Sequence, residues 1–189
     1  MATEIAPGIL AASPTLLDPN FRESVLVMTN HTDEGSLGFV INRLMGIDLE
    51  DVARELNLLD ESRPLPDIPV LSGGPVAPET GWLLYDPREL FLSHDDAVIE
   101  VCDFLHITTS KEALEFALSH STLSRCMLVL GYSGWGEGQL NEEMKQGSWL
   151  GTDLGESILF DTDLENRWSE AIQTLGINPM ALMSFSGFN

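Results

Sequence analysis

The sequence predicts an α+β fold in a single domain over residues 1–189, with a mostly antiparallel sheet flanked by helices. Three observations lead there. Apolar runs of strand length, such as Val25-Leu26-Val27-Met28 and Met127-Leu128-Val129-Leu130, are scattered rather than alternating with helical patterns, which disfavours a doubly wound parallel sheet. A polar segment at residues 30–36, containing Gly35, joins two early strands as a hairpin connection. A chain of 189 residues with 43% hydrophobic content can bury one sizeable core.

Taken in order, Gly8-Ile9-Leu10-Ala11-Ala12 predicts a strand closed by Ser13-Pro14, because proline drives its predecessor out of the helical region. Asp18-Pro19-Asn20 is a turn. The unbroken run at 25–28 reads as a strand buried on both faces, and the hairpin leads to a second strand over 37–41, ending at Asn42-Arg43. Asp48 caps a helix that carries Leu49, Val52, Ala53 and Leu56 on one face. Pro64, Pro66 and Pro69 exclude regular helix or central strand from residues 62–69. Val70-Leu71 then enters a sharp backbone feature, Ser72-Gly73-Gly74-Pro75-Val76, and Trp82-Leu83-Leu84-Tyr85 is a further strand. Residues 86–96 read as a polar, mobile surface loop and residues 97–104 as a strand.

Thr109 and Glu112 fit a capping box opening a helix with Ala113, Leu114, Ala117 and Leu118 on one side. The 127–130 strand runs into Gly131-Tyr132-Ser133-Gly134-Trp135-Gly136-Glu137-Gly138-Gln139-Leu140, expected as a loop that buries Trp135 and places Gly134, Gly136 or Gly138 at positive φ. Residues 141–146 follow as a helix, and Trp149-Leu150 and Ile158-Leu159-Phe160 as strands or extended connections. Thr162 and Glu165 suggest a second capping box, opening a helix with Leu164, Trp168, Ala171, Ile172 and Leu175 on one stripe and Gly176 as its stop.

Charge narrows the partners. Nine Lys plus Arg against thirty Asp plus Glu give a formal −21, which repels phosphate backbones and disfavours direct nucleic-acid binding. Such a surface serves solubility or a salty medium, or else docks a basic partner. No apolar run is long enough to cross a bilayer, and residues 1–8 lack the basic start and apolar stretch of a signal peptide, so a cytoplasmic location is expected. Cys102 and Cys126, each in an apolar run, read as buried free thiols.

Catalytic motifs fail. Gly131-Tyr132-Ser133-Gly134-Trp135 nearly matches a nucleophile elbow, but Trp135 occupies the second glycine's place and no base for Ser133 is in view. The glycines resemble a phosphate cradle, yet Glu137, Glu142 and Glu143 would repel a phosphate there. His31, His94, His106 and His120 are dispersed, without metal-ligand spacing, and Asp95-Asp96 and Glu142-Glu143 read as solvated charge. Trp82, Trp135, Trp149 and Trp168 read as core or loop anchors. No catalytic residue, metal site or cofactor is assigned.

Several ordered blocks then make a resemblance: Gly8-Ile9-Leu10-Ala11-Ala12-Ser13-Pro14, Asp18-Pro19-Asn20-Phe21, Gly38-Phe39-Val40-Ile41-Asn42-Arg43, Gly73-Gly74-Pro75-Val76, the 131–140 stretch and Arg167-Trp168. Together, from about residue 8 to about residue 188, the chain resembles the bacterial YqgE/AlgH family. The resemblance implies a bifurcated sheet bent into a pseudo-barrel. It implies no established activity, although one member was named as a regulator of alginate synthesis. The chain departs from the family at Leu44, commonly proline, and at Thr80, commonly arginine, so an anion site using that arginine would be lost here.

Three function classes follow. The favoured one is a cytoplasmic accessory or regulatory protein acting through a protein or small-molecule partner. The others are a transcriptional regulator touching DNA, which would need a basic reading element that no predicted helix supplies, and an enzyme with an unrecognised site. A binding site is placed where Asn42, Arg43, Gly73, Gly74, Pro75, Tyr132, Trp135 and Gln139 would converge at strand ends, competing with the plainer role of satisfying buried turns. Oligomeric state is left open.

Overall fold

A computed structural model of the chain describes residues 5–92 and 97–178. In chain order its elements are β1 (Gly8–Ala12), β2 (Val25–Thr32), β3 (Gly35–Val40), α1 (Leu49–Glu55), β4 (Val70–Ser72), β5 (Val76–Tyr85), β6 (Ile99–Cys102), β7 (Leu105–Thr108), α2 (Lys111–Leu118), β8 (Cys126–Gly136), α3 (Gln139–Lys145), β9 (Trp149–Asp153), α4 (Glu156–Phe160) and α5 (Arg167–Thr174). The ladders β1–β2, β1–β9, β2–β3, β3–β8, β5–β7 and β6–β7 are antiparallel, and β4 pairs with β8 in parallel. This is the mostly antiparallel α+β class that the sequence predicts. The strand order branches at β8, whose residues 128–130 pair with β4 and whose residues 133–136 pair with β3. That branch is the bifurcation implied by the resemblance.

The chain divides into two compact units. The first comprises Met1–Arg43, Gly73–Val76 and Tyr132–Asn189. Its ladder runs from the end of β8 through β3, β2 and β1 to β9. All of β1 is buried, as are residues 25–28 of β2, so both strand faces are covered. Alternation puts Leu10 and Ala12 on one face, in a cluster with Leu26, Met28, Val40, Trp135, Leu140 and Trp149. α5 packs on β1, β2 and β9, and its Trp168 Nε1 donates to the Ala12 carbonyl at 2.8 Å.

Several expectations for this unit are corrected. The hairpin is tighter than residues 30–36: only Asp33 and Glu34 lie between β2 and β3, because both strands keep pairing to Thr32↔Gly35. The glycine-rich stretch is strand through Gly136 rather than loop, since β3 offers it a complete antiparallel partner. Gly138 does take positive φ, at 68°, as residue before α3, whereas Gly134 and Gly136 do not. Ile158-Leu159-Phe160 belongs to helix α4, not to a strand; a three-residue apolar run is too short to show its period. Thr162 opens no capping box. Its Oγ1 lies within hydrogen-bond distance of the Ser157 carbonyl at 3.0 Å and of Glu170 Oε2 at 2.9 Å, and α5 begins at Arg167 after Asn166.

The second unit comprises Leu44–Ser72 and Ala77–Gly131. α1 carries the expected Asp48 cap, which the structure extends to a capping box with Asp51, and its Leu49, Val52 and Ala53 join Leu83, Tyr85, Leu128 and the buried face of α2 in one core. α2 is capped by Ser110 rather than Thr109: Ser110 Oγ accepts from Ala113 N at 3.1 Å, while Thr108 Oγ1 accepts from Ser110 N. β7 was not expected; its Leu105, Ile107 and Thr108 are buried against β5 and β6.

The expected polar surface loop at 86–96 is anchored at its start, and Asp86 (1% exposed) and Leu90 are both buried. The segment follows β5 inward because arginines neutralise the carboxylate: Arg88 binds Asp86 through Nε at 2.8 Å and Nη2 at 2.5 Å, and Arg125 Nη1 lies at 3.2 Å. Residues 93–96, including His94, Asp95 and Asp96, lie outside the described residues.

The hydrogen-bonded Arg88 guanidinium, reinforced by Arg125, holds the Asp86 carboxyl down to about 2. An unfolded aspartate titrates near ~3.9, so the folded state binds fewer protons than the unfolded state between these values. The stability that Asp86 contributes is therefore complete above about pH 4 and lost as pH falls towards about 2. Asp86→Asn is expected to be less stable than wild type at pH 6, with the gap narrowing between pH 4 and pH 2 in urea titrations. A gap independent of pH would sever the effect from ionisation.

Candidate functional site

All eight residues singled out from the sequence lie in the first unit. Most are already committed to internal bonds. Asn42 Oδ1 accepts from Val25 N at 2.8 Å, and its Nδ2 donates to the Glu23 carbonyl at 2.9 Å. Arg43 donates to the carbonyls of Pro19, Asn20 and Arg22, closing the Asp18 turn from outside. Its hydrogen bonds are thus to a turn rather than to a carboxylate. Gly73 O accepts from Val40 N at 2.9 Å and from Ser133 Oγ at 3.1 Å. Pro75 is exposed.

Gly74 explains itself by close approach. A Cβ there would stand 2.3 Å from the Tyr132 carbonyl and 2.4 Å from Ser133 Oγ, and its φ is 151°. Gly74→Ala is expected to cost about 1–3 kcal/mol by overpacking, read in chemical denaturation.

Trp135 is 6% exposed. Its ring meets Trp149 edge-on at 5.9 Å and stacks on Phe21 at 6.3 Å. One carboxylate holds both indoles: Glu143 Oε2 accepts from Trp135 Nε1 at 2.9 Å and from Trp149 Nε1 at 2.8 Å, while Oε1 accepts from Gln139 Nε2. Gln139 Oε1 in turn accepts from Gly136 N. Glu143 is therefore no solvated charge, as its pairing with Glu142 in sequence suggested. The available signal was its place four residues after Gln139, on the same side of α3.

The sheet face opposite the Trp135 side chain is partly exposed. Register pairs Leu37 with Gly134, Gly35 with Gly136 and Asn30 with Leu37, so alternation brings Asn30, Thr32, Gly35, Leu37, Tyr132 and Gly134 to one side of the sheet. An open groove of about 400 Å³ lies there, bordered also by Glu34 and Val76. Its floor is low because Gly134 carries no side chain, and Tyr132 Cε2 lies 3.5 Å from where a Gly134 Cβ would stand. Of the eight sequence candidates the groove takes in Tyr132 and Trp135, with Gly73 and Gly74 packed behind Tyr132 and Ser133. The side chains of Asn42, Arg43 and Gln139 point elsewhere. Sequence reading missed Asn30, Glu34, Leu37 and Val76, because only strand register gathers them.

Nucleophiles and metal ligands are poorly placed. Ser133 is fully buried, and its hydroxyl donates to Gly73. Burial, with the Glu89 charge, pushes the Cys126 thiol well up, and both cysteines are free thiols. Among the described residues no group of three or more His, Cys, Asp or Glu is positioned to hold a metal ion, and no helix is long and apolar enough to cross a membrane.

Comparison with known proteins gives a consistent answer. An AlgH-like family profile matches residues 9–180. UPF0301 proteins of Burkholderia mallei strain SAVP1 and Burkholderia pseudomallei strain 668 are each 38% identical over 178 residues, covering 94% of this chain and 92% of theirs. The solution structure of the AlgH protein from Pseudomonas aeruginosa is similar at a TM-score of 0.74 and 31% identity, covering 100% of this chain and 98% of that one. A crystal structure of protein DIP2367 from Corynebacterium diphtheriae shares the fold at a TM-score of 0.66 and 17% identity, covering 99% of this chain and 94% of that one. With the match running over nearly its whole length, the chain belongs to the AlgH-like family.

Proposed function

We propose that this chain is a cytoplasmic accessory protein that acts by binding, not catalysis, and that its binding face is the groove over Gly134. One contrast carries the reading. Candidate polar groups nearby are consumed by the fold, whereas the Gly134 face is a bare strip of sheet beside an aromatic ring. A bare floor with one aromatic and two aliphatic walls, Tyr132, Leu37 and Val76, suits a ligand that lies against the backbone. Ser133 and Cys126, the two nucleophiles nearest in sequence, lack an activating base and support no covalent chemistry.

Gly134 also supplies a test that separates binding from folding. A side chain there meets Tyr132 Cε2 at 3.5 Å, an ordinary contact. Gly134→Ala is therefore expected to stabilise by about 0.4–1 kcal/mol through the unfolded chain. Gly134→Val is expected to intrude further into the groove, and its own melting temperature without ligand is the reference for the screen. In a thermal-shift screen of metabolites and short peptides, a true ligand raises the wild-type melting temperature, by about 2.7 kcal/mol of stabilisation at a hundredfold excess over Kd. The same ligand is expected to leave Gly134→Val unshifted. Ligands that stabilise both proteins equally would move the site away from this groove.

A further inference from the structure

Resting on that reading of the groove, we propose that its occupant is an arginine side chain presented by an extended segment of a basic partner protein. Charge comes first. The first unit has four basic residues, Arg22, Arg43, Lys145 and Arg167, and each is engaged within the fold. Arg22 lies 3.8 Å from Glu23, Lys145 is 2.6 Å from Glu142, Arg43 binds three turn carbonyls, and Arg167 is buried against backbone carbonyls. Glu34, at the groove's rim, has no ion-pair partner among the described residues, and neither has its neighbour Asp33. No Lys or Arg is among the groove's lining residues, so a phosphate meets no counter-charge there while a cationic ligand meets Glu34.

Shape then selects the cation. The Tyr132 ring lies over the bare Gly134 position, so a flat group entering the groove meets the ring there rather than the backbone. A guanidinium is planar, stacks on aromatic faces and donates in a fork that matches a carboxylate; an ammonium is compact and does neither well. Leu37 and Val76 offer apolar surface to the methylenes of the arginine stem, and the exposed Asn30 amide offers a second acceptor at the rim. The overall charge of −21 steers a basic segment toward the protein from a distance.

The test is an amide-shift NMR titration of the full chain with the acetylated, amidated peptide Ala-Val-Arg-Val-Ala, beside forms with lysine or citrulline in place of arginine. The arginine peptide is expected to perturb Gly35, Leu37, Tyr132 and Gly134, and to bind about tenfold more tightly than the citrulline peptide, equivalent to about 1.4 kcal/mol. Lysine falls between them. Glu34→Gln weakens the arginine peptide selectively, and raising salt weakens it further. If the three peptides bind the groove alike, the arginine assignment fails while the groove remains a binding face. If no peptide perturbs the groove but screen ligands still depend on Gly134, the inference alone falls. If neither peptide nor screen ligand depends on Gly134, both readings fall together.

Discussion

Trp135→Ala is expected to lower the unfolding free energy by about 3–5 kcal/mol, the range for removing a fully enclosed aromatic side chain. The ring is 6% exposed and closes the cluster formed by Leu10, Leu26, Met28 and Trp149. Deletion removes its contacts with Phe21 and Trp149 and takes one of three donors from Glu143. Urea unfolding followed by circular dichroism measures the loss, and the fluorescence of the three remaining tryptophans reports the same transition. Trp135→Phe keeps most of the buried area but no indole donor. Its smaller loss separates packing from the Glu143 bond. A loss below about 1 kcal/mol for the alanine variant would mean that the ring contributes no core packing.

Arg167→Met comes next, with an expected cost of about 3 kcal/mol. Arg167 is 5% exposed and donates to the carbonyls of Ile41, Leu159 (2.6 Å) and Thr162 (3.1 Å), tying α5 to the ends of β3 and α4. Burial pulls its guanidinium down to about 10, opposed by the Asp163 charge, so it stays protonated at neutral pH. Methionine fills a similar volume but orphans three acceptors, each worth about 1–3 kcal/mol when left buried. The cation's own desolvation cost disappears with it, which offsets part of that sum. Arg167→Lys tests geometry against charge. A single ammonium cannot span three divergent carbonyls, so lysine is expected not to rescue stability. Full rescue by lysine would assign the effect to charge alone.

Both experiments concern features that the sequence announced only in part. Trp135 among glycines suggested a docked ring, and the ring is docked. What it docks against was hidden, because Glu143, Trp149 and Phe21 come together only when α3 folds back on β3 and β9. Arg167-Trp168 stood out as a family block, yet nothing local distinguishes an arginine destined for three distant carbonyls from one on a solvated helix face. Asp86 is a mixed case: adjacent polar residues read as surface, its chief partner Arg88 stands two residues on, and the second, Arg125, is 39 residues away.

The candidate site divides in the same way. Asn42, Arg43 and Gln139 were attractive as donors and acceptors near strand ends, and the structure places their side chains in turn and helix contacts, where buried polar groups must find partners. The groove keeps Tyr132 and Trp135 of the candidates and adds Asn30, Glu34, Leu37 and Val76, which carry little individual signal.

By itself the sequence determined the elements whose signals are local. These are β1 before Ser13-Pro14, the Asp48 cap of α1, the buried run at the start of β2, the irregular proline segment and the α+β class that follows from hairpin order. Each depends on backbone sterics, capping or periodicity within a few residues. Tertiary structure alone decided that residues 131–136 are strand, that 158–160 are helix and that Gly134 opens a groove. Strand pairing, the packing of short apolar runs and the alignment of side chains across a ladder are long-range choices. They are settled by which partner a segment meets, not by what the segment contains.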